Sequence, residues 1–148
     1  MRENDIVDIL LVEDNTYDAE LIIRVFKQNN MANNLYLVED GAEALDFLRC
    51  QGKFKKRSPS CSLKLMLLDL KLPKISGLEV LKEIKNDDRL HKLPVVILTS
   101  SREDPDISEA YRRGANSYVI KPVNFDEFVK TMSELGFYWL LVNNSPAF

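Results

Sequence analysis

"LMLLDLKLPKISG" (residues 65–77) runs four apolar residues into an acid, Asp69, and follows it with Pro73 and Gly77. A short, nearly unbroken apolar run bounded by turn residues reads as a strand covered on both faces of a parallel sheet. A carboxylate at the mouth of such a strand is expensive to keep unless something pairs with it. The position of Asp69 therefore asks for a function as well as a fold.

Working outward, similar runs recur: "IVDILLV" (6–12), "LYLV" (35–38), "LKLMLLD" (63–69), "PVVILT" (94–99) and "SYVI" (117–120). Longer amphipathic stretches separate them. Ala19, Ile22, Ile23 and Phe26 follow the spacing of one buried helical face, and Leu45 with Leu48 marks a second helix. Val80, Leu81 and Ile84 mark a third, Ile107, Ala110 and Tyr111 a shorter fourth, and Phe125, Phe128, Val129 and Met132 a fifth. Five β-α repeats with right-handed crossovers predict an α/β fold: a doubly wound, five-stranded parallel sheet, order 2-1-3-4-5, with helices on both faces.

At 148 residues the chain has room for one domain, with a core over about 6–135 and a helical extension over 136–148. It is 45% hydrophobic and 29% charged, close to the globular average, and its net charge of -3 gives no global pull toward nucleic acid or anionic lipid. No apolar stretch is long enough to span a bilayer, and the polar start "MRENDIVD" is unlike a signal peptide. Cys50 and Cys61 fit no metal spacing and read as free thiols, so a cytoplasmic location is expected.

Ligands in doubly wound folds bind outside the carboxyl ends of the strands. There the sequence places Glu13 and Asp14 after the first strand, Asp69 after the third, Thr99-Ser100-Ser101 after the fourth and Lys121-Pro122 after the fifth. Three converging carboxylates repel; at ~4 Å and an effective dielectric near 20 each pair costs about 4 kcal/mol. A hard divalent cation resolves this, and an oxygen-only donor set selects Mg²⁺, or Mn²⁺, over zinc. Taken alone, each residue has a plainer role. Asp14 or Asn15 could cap the helix beginning near Tyr17, Lys-Pro is often only a turn, and a strand-end Thr is often structural.

Together "LLVEDN", "LLDLKLP...G", "ILTSS" and "SYVIKP" resemble, in order and over essentially the whole chain, the receiver domain of two-component response regulators. The ending "GFYWLLV" and the spacing "EALDFL...G" most resemble small single-domain regulators of the cyanobacterial phytochrome type. The resemblance implies that Asp69 accepts a phosphoryl group from a phosphohistidine on a sensor kinase, here a phytochrome-like one. It implies Mg²⁺ held by Asp14, Asp69 and the main-chain carbonyl of Lys71, with Glu13 acting through a water. Lys121 would neutralise a phosphoryl oxygen and Thr99 would bond another. Tyr118 takes the aromatic switch position, filling the space Thr99 leaves, and Pro122 implies a cis peptide that aims Lys121. Glu13 departs from the commoner Asp, and Lys71 puts a cation two residues beyond the acceptor.

Two other readings start from the same residues. An aspartyl-nucleophile phosphatase or dehalogenase-like hydrolase would want a second acid where Lys71 stands, and a cap domain. A flavodoxin-like flavin binder would want a Ser/Thr/Gly-rich loop where "VEDNTYDAE" (12–20) would repel phosphate. The chain leaves no space for a DNA-binding domain, and "KFKKR" (53–57) reads as a solvated loop rather than a nucleic-acid contact. His91, the only histidine, reads as a solvent-facing turn residue. In the last helix, Leu135, Gly136 and Trp139 continue the buried face, while Phe137 and Leu141 fall on the polar side with Lys130 and Glu134. Either Gly136 breaks the helix and the tail folds back, or Phe137 and Leu141 form a homodimer surface, which is the expectation adopted.

Overall fold

In the computed structural model of the chain, which describes residues 7–30, 34–57 and 63–144, the apolar runs form one parallel sheet. Its strands are β1 (Ile9–Val12), β2 (Leu35–Val38), β3 (Leu65–Leu68), β4 (Val95–Thr99) and β5 (Ser117–Ile120), in the order β2-β1-β3-β4-β5. This is the doubly wound arrangement expected from the β-α repeat. The first strand is shorter than its apolar run because pairing starts at Ile9, where Leu35 and Leu65 flank it in register.

Alternation along the strands sorts the core into two layers. Leu10, Val12, Met66, Leu68, Val95 and Ile97 face one way. They pack against α2 (Gly41–Arg49), α3 (Gly77–Lys85) and Ala110 of α4 (Asp104–Arg112). Ile9, Leu11, Leu65, Leu67, Val96 and Leu98 face the other way, against α1 (Thr16–Gln28) and α5 (Phe125–Phe137). Burying a large apolar side chain contributes about 1.5–3 kcal/mol, so a sheet covered on both faces supplies the bulk of the favourable free energy.

Four helices start on a side-chain cap: Asn15, Asp40, Ser76 and Asn124 accept from the N–H groups of Asp18, Glu43, Glu79 and Glu127. The cap of α1 is thus Asn15, which leaves the neighbouring Asp14 carboxylate free for another use. Gly77 explains the spacing of the opening stretch. A Cβ there would lie 2.0 Å from the Asp69 carbonyl oxygen and 2.7 Å from Leu70 Cα. The start of α3 is pressed directly onto the backbone that carries Asp69, and the Gly77 N–H donates to the Leu70 carbonyl at 2.8 Å.

Several expectations need correction. All described peptide bonds are trans, Lys121–Pro122 included. For X–Pro the trans form is favoured by about 0.5–1 kcal/mol, and a trans bond already lets β5 deliver Lys121 to the site. Phe125 is exposed rather than core, because as the first residue of α5 it precedes the turn that reaches the sheet through Phe128. Tyr111 is likewise exposed, and α4 makes its contact through the small Ala110.

Gly136 does not end the helix. It is buried within α5, and the chain continues as a π-helical turn over Tyr138–Val142 with Trp139 half-buried. Phe137 and Leu141 are exposed, as are Tyr138 and Val142 beside them. The basic segment 53–57 is pinned by Phe54, which is buried edge-on against Phe47 and Tyr36. The Arg57 guanidinium sits 3.6 Å from the Phe47 ring centroid, so that cation is spent on the fold. His91 is exposed in the turn before β4. Cys50 is a half-buried free thiol, and Cys61 lies outside the described residues.

Candidate functional site

Sheet register alone brings the acids together. Val12 pairs with Leu68, so the next residues, Glu13 and Asp69, emerge side by side from adjacent central strands. Thr99 pairs with Ile120, so Lys121 emerges one residue beyond β5 at the same edge. The backbone continues the ladder past the strands: Asp69 N–H donates to the Val12 carbonyl at 3.2 Å and Lys121 N–H to the Thr99 carbonyl at 2.7 Å.

The side chains converge on the Lys121 ammonium. It donates to Glu13 Oε1, to Asp69 Oδ2 at 3.1 Å and to Asp18 Oδ2 at 3.0 Å. Asp69 is held from its other side as well, since Oδ1 accepts from Leu70 N–H at 2.7 Å. Glu13 Oε2 accepts from Asn15 N–H at 3.2 Å. Glu13, Asp69, Thr99 and Lys121 are buried, whereas Asp14 is exposed at the mouth. Glu13, Asp14 and Asp69 each present a carboxylate oxygen, and these oxygens lie within 4.8 Å of one another. An oxygen-only cluster of this size fits a hard divalent cation. Lys71 is exposed beside it.

The electrostatics follow from burial and crowding. Burial lifts the Glu13 carboxyl to about 7, with the Asp69 charge adding to the rise and Lys121 pulling against it. For Lys121, burial acts to lower the ammonium, but its bonds to Glu13 and Asp18 and the Asp69 charge outweigh it and hold the group above its ordinary value. One cation therefore stays charged among four acids, and the mouth of the site remains net negative.

A second network leads away from the acids. Ser101 N–H donates to Thr99 Oγ1 at 3.4 Å, and the Ser101 hydroxyl donates to Asp106 in the first turn of α4. Tyr118 on β5 is half-buried, and its hydroxyl donates to the Ser101 carbonyl at 3.0 Å. Burial raises the Tyr118 phenol above its usual value, which keeps it a neutral donor.

Comparisons with known proteins identify the family. The family described as "Response regulator receiver domain" matches residues 9–133. The chain belongs to that family. A probable methanogenesis regulatory protein, FilR2 of Methanothrix harundinacea, is 44% identical over 93% of this chain and 86% of its own length. The response regulator Rcp1 of Synechocystis is 38% identical over 94% of this chain and 92% of its own. Its Mn²⁺-bound crystal structure superposes with a TM-score of 0.88, covering 95% of this chain and 99% of that one at 36% identity. The phosphorylated cyanobacterial phytochrome response regulator RcpA gives the same TM-score at 35% identity, over 96% of this chain and 99% of its own.

Receiver domains of response regulators are signalling modules of two-component systems, and the fold here is theirs. The structure gathers Glu13, Asp14, Asp69 and Lys121 into one cluster and places Thr99 and Tyr118 on the network beside it. Phe137 and Leu141 lie on the separate surface at the end of α5. Among the described residues, no helix is long and apolar enough to cross a membrane.

Sequence reasoning missed Asp18, Ser101 and Asp106. Asp18 and Asp106 each look like an ordinary acid in a first helical turn, placed there by the helix dipole. For Ser101 the only signal was its place in the strand-end triplet already singled out.

Proposed function

We propose that this receiver domain is the phosphoacceptor of a two-component phosphorelay and that Asp69 is the residue phosphorylated, by a phosphohistidine on a sensor kinase of the phytochrome-like type. The observation that carries the reading is the buried Asp69 carboxylate, fixed from one side by a main-chain N–H and from the other by Lys121, with Glu13 and Asp14 beside it. An Asp69 oxygen attacks phosphorus as the P–N bond breaks, and the imidazole departs with the electron pair. Such transfers need positioning and charge stabilisation more than covalent help.

The carboxylates of Asp14 and Asp69 and the main-chain carbonyl of Lys71 would hold Mg²⁺, with Mn²⁺ a workable substitute, as in the Mn²⁺-bound Rcp1. Both Glu13 oxygens already have partners, which favours its acting through a water. The ion supplies charge neutralisation for the acid cluster and the incoming phosphoryl oxygens. Lys121 then pairs with one phosphoryl oxygen and the Thr99 hydroxyl donates to another. Movement of Thr99 pulls on Ser101, to which Tyr118 is tied.

The signal passes on by protein–protein binding from a cytoplasmic domain that catalyses only its own phosphorylation and dephosphorylation. It makes no direct contact with DNA or membrane. Phe137 and Leu141 supply the surface for a homodimer. The hydrolase reading finds no support, because the residue two beyond Asp69 is an exposed lysine.

Incubation with acetyl phosphate and Mg²⁺, followed by mapping of the labile, hydroxylamine-sensitive acyl phosphate, tests the proposal. Label is expected on Asp69, absent with chelator and absent from a folded Asp69→Asn variant. Equal labelling of that variant would refute the assignment.

A further inference from the structure

Four acids crowd the ammonium of Lys121 or its neighbours, and three of them have a part in the proposed site. Asp18 has none. It is the third residue of α1, where an acid is ordinarily explained by a capping box, its carboxylate turned back to the N–H of the cap residue. The geometry excludes that explanation. The Asn15 N–H donates instead to Glu13 Oε2 at 3.2 Å, and Asp18 Oδ2 accepts from Lys121 Nζ at 3.0 Å. The helix dipole favours an acid in this turn but does not choose its partner.

An ammonium has three protons to donate and no more. In Lys121 all three are engaged, by Glu13, Asp69 and Asp18. A phosphoryl oxygen that is to be held by Lys121 must therefore displace one of these acceptors. Glu13 is sealed inside, with its side chain 1% exposed, and Asp69 is the acceptor itself. Asp18 stands at the rim with its side chain 23% exposed, so water can solvate its carboxylate when the bond breaks. It is the acceptor that is released at least cost.

We propose that Asp18 is a positioning residue: it is the resting counter-ion of Lys121, and by competing for that ammonium it sets how strongly the phosphorylated state is favoured. The inference rests on Asp69 being the phosphoacceptor. Its sign is definite. Asp18 weakens the hold of Lys121 on a phosphoryl group, so removing its charge strengthens that hold. The strengthening is expected to be about tenfold, the low end for one charge-assisted hydrogen bond.

The test uses beryllofluoride, a phosphoryl mimic, titrated in excess Mg²⁺ onto the full chain as wild type, Asp18→Asn and Asp18→Glu. Asp18→Asn should bind about tenfold tighter, and Asp18→Glu, whose carboxylate still reaches Lys121, should stay near wild type. Should Asp18→Asn not fold, Asp18→Ser carries the same expectation. A purely structural acid would shift the melting temperature without changing this affinity in a charge-dependent way. Unchanged or weaker binding by the neutral variant overturns the inference, and so does equal tightening in Asp18→Asn and Asp18→Glu. Failure of wild type to bind at all overturns the phosphoacceptor reading itself, which distinguishes the two failures.

Discussion

Gly77→Ala tests the link between the packing of α3 and the placement of Asp69. The added methyl would start 2.0 Å from the Asp69 carbonyl oxygen, whereas ordinary contact begins at 3.4 Å. Relief needs a relative shift of about 1.4 Å between two backbone segments, because no flexible side chain lies in the way. The same shift lengthens the 2.8 Å bond from Gly77 N–H to the Leu70 carbonyl. Overpacking of this kind costs about 1–3 kcal/mol, and a lost hydrogen bond adds about 1 kcal/mol. The better helix propensity of Ala offsets under ~1 kcal/mol. A net loss near 2–3 kcal/mol corresponds to a fall of roughly 4–12 °C in melting temperature for a chain of this size. The functional effect should be larger, since misplacing a reacting group by ~1 Å costs about 100-fold in rate. Thermal melts followed by circular dichroism, with acetyl phosphate labelling of Asp69 well below the melting point, measure both. A variant that melts with wild type would refute the close-approach argument. A destabilised variant that labels at the wild-type rate would show that α3 does not position Asp69.

Glu13→Gln should change the pH dependence of stability in chelator. With the folded carboxyl raised from 4.5 to about 7, the unfolded chain gives up this proton first, so wild type loses stability as pH rises from 4.5 through 7. The contribution reaches at most about 1.4 kcal/mol per pH unit, and Glu13→Gln should lack it in urea titrations across that range. An identical slope in the variant would show that Glu13 titrates normally. Thr99→Ala should still take label on Asp69 but lose the phosphorylation-dependent change in the Tyr118 environment, read by NMR; a normal change would remove Thr99 from the coupling. The pair Phe137→Glu with Leu141→Lys should yield a monomer that still accepts phosphate, because both side chains are exposed at the far end of α5. Sedimentation showing wild-type monomer at all accessible concentrations, phosphorylated or not, would rule out self-association through this face.

What the sequence determined by itself was whatever depends on short-range periodicity. The Val, Ile and Leu runs of β1, β3 and β4 read as strands covered on both faces and are buried throughout, and the 3.6-residue spacing of Ile22 with Phe26 or Val80 with Ile84 assigned the buried helical stripes. Because parallel strands share one direction, the residue after each run had to reach the same sheet edge, which made Glu13, Asp69, Thr99 and Lys121 legible as a group. Which atoms then meet is decided by register and by packing between elements distant in the chain. Asn15 rather than Asp14 caps α1 because of the local turn geometry. Asp18 turns from its own helix to a lysine 103 residues away, and Gly77 is required by a backbone eight residues earlier that only the folded chain brings against it. Pro122 follows a trans bond, the form ordinarily favoured for X–Pro, and Phe125 lies outside the core because α5 begins one turn before it reaches the sheet. Local sequence encodes which face of an element is apolar; the partner of a polar group is chosen by whatever charge the tertiary structure places within reach.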